Sequence, residues 1–435
     1  MASLESTVAI RDGAAPVRVG VDLTPLLPGS SNGGSKLAVL QFLEALDQFH
    51  AHSVQLVLFV AEISEPELRE RFGSRLAIYC TRRGRRRGSA LLEAYRELCS
   101  QLEIKRLTRQ SGIQVLYSPF GRYLAASTQV PMVALITDLL HRDYPESLPW
   151  KDRLWRHLNL KKLASSHALF QVPSDFSRQR LHATYGVPYE RAFRTYQPIH
   201  ERFDGTSHAD GPRYFFYPAR PWRHKNHPNL LRAYRVYRDR VGQPAWRLVL
   251  TGSNDGAVEP WKSLVAALDL KMDVDFLGEV SEERLAECYR GASALMFPSR
   301  YEGFGIPLIE AMHFGLPIIC GRGGSQTEVA GDAALYVDVE DLDEMADAMV
   351  RVSEDPAVAT RLAGAGRKQL ARFALEPEVQ KLVNALLKAR EVRAAPFFQR
   401  ELCRARFLAF DALYAGTILL APLINAVARR QVNGP

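Results

Sequence analysis

The sequence predicts an α/β protein made of two parallel-sheet halves in tandem. Three observations lead there. Short β-branched segments alternate with helical runs along most of the chain. The alternation stops at a polar, glycine-bearing stretch, "ERFDGTSHADGPR" (201–213), and then starts again. The length, 435 residues, exceeds the usual size of one domain.

The elements follow in order. Residues 1–15 read as a polar, loosely ordered start. "VRVGVDL" (17–23) is a strand; the loop "TPLLPGSSNGGSK" and the helical run "LAVLQFLEALDQF" come after it. "VQLVLFV" (54–60), "VLYSP" (115–119), "PMVALITD" (131–138) and "ALFQVPS" (168–174) supply further strands. The second half repeats the scheme with "YFFYPA", "RLVLTG", "VDFLG", "SALMFPS", "LPIIC" and "ALYVD", and ends in a helix around 378–390. Short apolar strands separated by helices imply parallel sheets covered on both faces. The expected division is 16–205, 212–392 and an apolar helical extension, 393–435. Two such halves leave a cleft, with ligands at the carboxyl ends of the strands.

Composition restricts the setting. Hydrophobic residues make up 47% and charged residues 24%, enough for a sizeable core. The net charge of +8 suits phosphorylated ligands, anionic lipid or nucleic acid without choosing among them. Cys80, Cys99, Cys288, Cys320 and Cys403 are scattered and form no C-x-x-C pair, which argues against a disulfide framework. The first residues hold no apolar run of signal-peptide length, so a cytoplasmic location is expected.

The chemistry concentrates in "SRYEGFGIPLIEAMHFGLPII" (299–319). A strand leads into a glycine loop, and a helix begins near Pro307. Gly303 and Gly305 let the backbone approach a ligand, and the helix N-terminus behind them favours anions. Glu302 sits in the loop and Glu310 lies about one turn inside the helix. Were the whole span helical, the carboxylates would stand about 12 Å apart, at ~1.5 Å rise per residue. A glycoside hydrolase pair stands roughly 5 to 9.5 Å apart. The longer spacing favours two carboxylates holding different parts of one long ligand. Their charges need cations nearby, and "YPARPWRHKNHPNLL" offers Arg220 and Lys225 in a strand-to-helix loop, a planar fork and a point charge for a diphosphate.

R-x4-K (Arg220 to Lys225) followed by E-x7-E (Glu302 to Glu310) resembles the retaining nucleotide-sugar glycosyltransferases of the GT-B fold, in the large family of bacterial mannosyl- and glucosyltransferases. "GVDLTPLLPGSSNGGSK", "YSPFG", "DLLHRDYPES", "VPSDFSRQRL" and "GSQTEVAGDAALYVD" add to the likeness, which covers roughly residues 17–390. The resemblance implies two Rossmann-like domains facing a central cleft. It implies that Arg220 and Lys225 neutralise the donor diphosphate and that Glu310 binds the ribose. Glu302, with the backbone N–H groups of Gly303, Phe304 and Gly305, would hold the donor sugar. Gly33 and Gly34 would bring the first loop to the diphosphate. No metal or cofactor is implied. The donor would be a nucleotide-diphospho-sugar, GDP-mannose or a UDP-hexose, with GDP-mannose favoured by the "EGFG-P-EAM" style. The acceptor would be a glycan or lipid-linked saccharide in polysaccharide or glycolipid assembly. One position departs from the family: Thr137-Asp138 stands where His-Asp is frequent. Asp138 and His141 are therefore expected near the active site, and Thr137 beside the donor sugar. That departure also leaves room for a non-catalytic sugar-nucleotide-binding protein or a membrane scaffold.

Other motifs have plainer readings. The Asp-x-Asp of "MDVDF" lies in an alternating strand and reads as surface aspartates. His224 and His227 lack further zinc ligands in sequence reach. "CGRGGSQ" lacks the full dinucleotide fingerprint and reads as a loop near the cleft. "TRRGRRRG" (81–88) and the apolar, arginine-flanked 407–427 admit two readings. One is peripheral contact with an anionic cytosolic membrane surface, through Arg82 to Arg87 and the C-terminal segment; the other is a solvated loop and a packed helix. No nucleic-acid module is recognisable.

Overall fold

A computed structural model describes residues 15–29, 33–81, 90–198, 212–252 and 259–391, without the side chains of 90–96. Residues 201–211 of the expected linker, the arginine cluster 82–87, Cys403 and the 393–435 extension lie outside these residues.

The first half runs β1 (Val17–Leu23), α1 (Gly34–Phe49), β2 (Val54–Ala61), α2 (Glu65–Phe72), β3 (Ala77–Thr81), α3 (Ala90–Gln110) and β4 (Val115–Ser118). It continues with β5 (Met132–Leu135), α4 (Leu140–Asp143), α5 (Trp150–Ser165), β6 (Leu169–Val172), α6 (Asp175–Tyr185) and β7 (Ala192–Arg194). These strands pair in parallel in the order β3-β2-β1-β4-β5-β6-β7. The central strands are buried on both faces, as their near-continuous apolar sequences require.

The second half runs β8 (Tyr214–Pro218), α7 (His227–Val241), β9 (Arg247–Thr251), α8 (Glu259–Ala267), β10 (Val274–Gly278), α9 (Glu282–Gly291) and β11 (Ala294–Phe297). Then come α10 (Ile306–His313), β12 (Ile318–Cys320), α11 (Gln326–Ala330), β13 (Ala334–Tyr336), α12 (Leu342–Glu354), α13 (Pro356–Leu370) and α14 (Leu375–Glu391). The strand order is β10-β9-β8-β11-β12-β13, again parallel.

Three features differ from the sequence expectation. The half-exposed edge strand β3 and β7, only three residues long, were not anticipated. The strand expected over 131–138 ends at Leu135, so Thr137 and Asp138 lie in the loop beyond it. The last helix, α14, was assigned with the second half but packs on the first. Val379, Leu382, Val383 and Leu386 join the core of β1, β2 and α1, and the Glu378 carboxylate accepts the Tyr196 N–H at 2.9 Å. The chain therefore crosses the cleft a second time.

Candidate active site

In each sheet the order reverses between two neighbours, β1 and β4 in the first and β8 and β11 in the second. A crevice opens at the carboxyl end of such a switch point. The loop after β8 carries Arg220 and Lys225, and the loop after β11 carries Glu302 to Gly305. Adjacent strands thus join motifs 77 residues apart. Lys225 Nζ donates to Glu302 Oε1 at 2.5 Å. Both side chains are about nine-tenths buried, and Lys225 also lies 5.5 Å from the centre of the Phe297 ring. Arg220 lies 5.7 Å from the Trp222 ring.

The helix behind the loop is open at its start. Gly305 takes the N-cap position of α10 at φ 98°, and no side chain caps it. A side chain at that φ is strained, so glycine is what allows the turn. Gly33 at φ 59° plays the same part for α1, also without a side-chain cap. The two uncapped starts face each other across the cleft: a Cβ on Gly34 would stand 2.6 Å from Ile306 Cδ1. Each start leaves first-turn N–H groups without a side-chain cap, and such groups favour an anion.

The other residues fall around this centre. A Cβ on Gly303 would lie 2.0 Å from the Thr137 carbonyl oxygen and 3.0 Å from Asp138 Cβ, so the glutamate loop rests on the 137–138 loop of the first domain. Thr137 Oγ1 donates to Asp138 Oδ2 at 3.2 Å. Asp138 Oδ1 accepts the Leu140 N–H and Arg156 Nη1. The Leu139 N–H donates across the cleft to the Tyr301 hydroxyl at 3.0 Å. Phe304 turns its ring into the core against Tyr196 and Phe373, leaving its backbone to the site. Glu310 is buried on α10, and the Tyr289 hydroxyl of α9 donates to its Oε2 at 2.6 Å. His141 lies under the surface: its Nε2 is 2.7 Å from the Tyr185 hydroxyl, which also meets His157 Nδ1 at 3.0 Å. Burial, reinforced by Arg156, lowers His141 to about 4, so it is neutral at pH 7.

Sequence reasoning passed over several residues that build this site. Tyr289 and Tyr301 stand out by no motif of their own in the sequence. Gly324, at φ 73°, would place a Cβ 2.1 Å from the Glu302 carbonyl oxygen. Ser325 binds that oxygen through its N–H at 3.1 Å, and donates Oγ to the Phe304 carbonyl at 2.9 Å. The paired glycines of "CGRGGSQ" were the available signal. The aspartates of "MDVDF" are paired with arginines, Asp273 with Arg238 and Asp275 with Arg247. His224 and His227 are buried and lowered to about 4, by burial first and the Lys225 charge second.

Comparison with known proteins agrees with this architecture. Residues 199–369 match the family "Glycosyl transferases group 1". O-antigen chain mannosyltransferase B of Escherichia coli is 27% identical over 382 residues, spanning 80% of this chain and 92% of that protein. O-antigen chain mannosyltransferase RfbU of Salmonella typhimurium is 30% identical over 207 residues, 48% of this chain and 56% of that protein. Among solved structures, sucrose-phosphate synthase of Thermosynechococcus elongatus superposes with a TM-score of 0.66 at 20% identity, over 84% of this chain and 97% of that one. HepE of Anabaena, solved in complex with UDP and glucose, gives 0.67 at 15% identity, over 86% and 100%. The chain is a GT-B glycosyltransferase, with the group 1 family match in its second half.

Proposed function

We propose that this enzyme moves a hexose, mannose in our reading, from GDP-mannose to a glycan or lipid-linked acceptor in polysaccharide or glycolipid assembly. The observation that carries the reading is the Lys225–Glu302 contact beside the two uncapped helix starts. Lys225 and Arg220 supply positive charge for a diphosphate, and the N–H groups of α1 and α10 add to it. The same groups do the work for which other transferases use a metal. Glu302 accepts hydrogen bonds from sugar hydroxyls, while Glu310, held by Tyr289, takes the ribose. Asp138 and Thr137 face the sugar from the first domain.

In this reading the configuration is retained. The bond from the anomeric carbon to the phosphate oxygen breaks, and the acceptor oxygen bonds the same face. The acceptor proton passes to the leaving diphosphate. The mannosyltransferase names of the relatives support the choice of sugar.

Membrane contact belongs to the same proposal. Among the described residues no helix is long and apolar enough to cross a membrane. The outer side of α3 exposes Leu98 and Leu102, eleven or more residues past the sequence's arginine cluster.

The test is nucleotide release from GDP-mannose and from UDP-glucose by the purified chain and by Arg220→Ala. Release of GDP that the variant loses supports the proposal. Release of UDP alone points to a UDP-hexose donor, and no release from either contradicts the donor assignment.

A further inference from the structure

Glu328, just past the 321–327 segment beside the glutamate loop, reaches the other domain. It sits on α11, and its carboxylate accepts the first two N–H groups of α6: Asp175 to Oε1 at 2.8 Å and Phe176 to Oε2 at 3.0 Å. A carboxylate on the first turn of a helix satisfies donors that have no intrahelical partner, and the helix dipole adds to the attraction.

The contact closes a circuit. Just before α6, Ser174 caps the helix by accepting the Ser177 N–H at 3.0 Å. The same Ser174 Oγ donates to the Gly303 carbonyl at 2.8 Å, and Ser177 Oγ reaches that carbonyl at 3.3 Å. On the other side, Ser325 binds the Glu302 carbonyl through its N–H at 3.1 Å. Gln326 Nε2 ties the start of α11 to the Ser299 carbonyl at 2.7 Å. The path runs from Glu302 through Ser325, α11 and Glu328 to α6, and through Ser174 back to Gly303. Two adjacent carbonyls of the glutamate loop are thereby gripped from opposite domains. Phe176 adds an edge contact with the Tyr301 ring, centroids 5.8 Å apart. At its far end α6 carries Tyr185, which contacts His141 and His157.

We infer that Glu328 is a positioning residue: its grip on the start of α6 sets the Glu302–Gly305 loop against Thr137 and Asp138 when the cleft is closed. It touches no reacting atom in this account. Its backing is specific to that role. The Arg372 guanidinium and the Gln369 amide bind the Glu328 carbonyl, which fixes the end of α11 on α13 and the turn after it. The carboxylate is thus carried on a braced element, as alignment across a cleft requires. The loop positioned is the one that "Proposed function" assigns to the donor sugar, and to that extent the inference rests on that reading.

The experiment compares the full-length chain with Glu328→Ala, Glu328→Gln and Ser174→Ala by two measurements. The first is hydrogen exchange at Asp175, Phe176 and Ser325. Loss of the circuit in Glu328→Ala is expected to speed exchange at Asp175 and Phe176 directly. It is also expected to speed exchange at Ser325, whose bond lies on the other side of the loop. Faster exchange confined to Asp175 and Phe176 means a local helix cap and overturns the inference. The second is GDP release from GDP-mannose alongside the GDP-mannose Kd. Two charge-assisted bonds across the cleft predict a fall in kcat of about ten- to a hundredfold in Glu328→Ala, with Kd changed less than about threefold. Glu328→Gln, which keeps one acceptor oxygen, and Ser174→Ala are expected to fall between. A kcat within about twofold of the unaltered chain, or a Kd that worsens in step with kcat, overturns the inference. Should the unaltered chain neither bind nor turn over GDP-mannose, the donor reading fails, and the exchange pattern alone decides the role of Glu328. Should Glu328→Ala not fold, Glu328→Gln is judged by the same criteria.

Discussion

Gly303→Ala is the sharpest mechanical test of the closed cleft. The glycine's backbone needs no left-handed φ, so the substitution acts through space alone. The new methyl would stand 2.0 Å from the Thr137 carbonyl oxygen, 3.1 Å from its carbonyl carbon and 3.0 Å from Asp138 Cβ. A comfortable C···O contact is about 3.3 Å, so the two loops must separate by roughly 1.3 Å. Neither partner is the end of a flexible side chain. The Ser174 bond to the Gly303 carbonyl and the Leu139 bond to Tyr301 lie on the same contact and must stretch with it. Overpacking of this kind costs about 1 to 3 kcal/mol. A misplacement of about 1 Å among reacting groups costs about a hundredfold in rate. We therefore predict a kcat for GDP-mannose turnover lowered about a hundredfold, with the melting temperature down by only a few degrees. Stopped assays of GDP release and a thermal melt on the same preparations check this. Turnover within twofold of the unaltered enzyme would refute the claim that the two loops work in contact.

Three further predictions follow from the same geometry. Tyr289→Phe removes a hydrogen bond from the buried Glu310 carboxylate; chemical denaturation is expected to show a loss of about 1 to 3 kcal/mol, and calorimetry a weaker affinity for GDP. Lys225→Met and Glu302→Gln each break a nearly buried ion pair, at about 3 to 5 kcal/mol apiece, whereas the double variant should lose clearly less than the sum in urea denaturation. Stability should fall as pH drops from about 6.5 towards 4, because His141, His224 and His227 are held neutral by burial, each lowered to about 4. Above about pH 6.5 these histidines are neutral in both states and their full contribution is present. Between the two values the unfolded chain takes up protons the folded chain refuses, so urea midpoints at pH 5 should lie below those at pH 7.

Most of the fold could be read from periodicity, since buried parallel strands are short apolar runs and helices separate them. The second crossing of the cleft by α14 could not. Its apolar stripe shows that one face is buried and not which sheet buries it. The site was legible where one loop carries both the carboxylate and its glycines, as in 302–305. The pairing of Lys225 with Glu302 needed the adjacency of β8 and β11, which the order of motifs along the chain does not state. Glu328 and Ser174 lie in segments that carry the family likeness, but their pairing was not legible, because each is an ordinary polar residue whose partner is a backbone group of the other domain. His141 stood close to the expected loop in sequence, yet its side chain turns to Tyr185 in the first domain.

The central claim is that the cleft binds a nucleotide-diphospho-sugar through the cations of the β8 loop and the helix starts facing them. Isothermal calorimetry of GDP-mannose against the unaltered chain and Lys225→Ala tests it most directly. The account predicts saturable binding by the unaltered chain and a loss of at least about tenfold in the variant, since Lys225 is an ion-pairing donor within the site. Equal affinity in both would contradict the account, because the diphosphate would then rest on other groups.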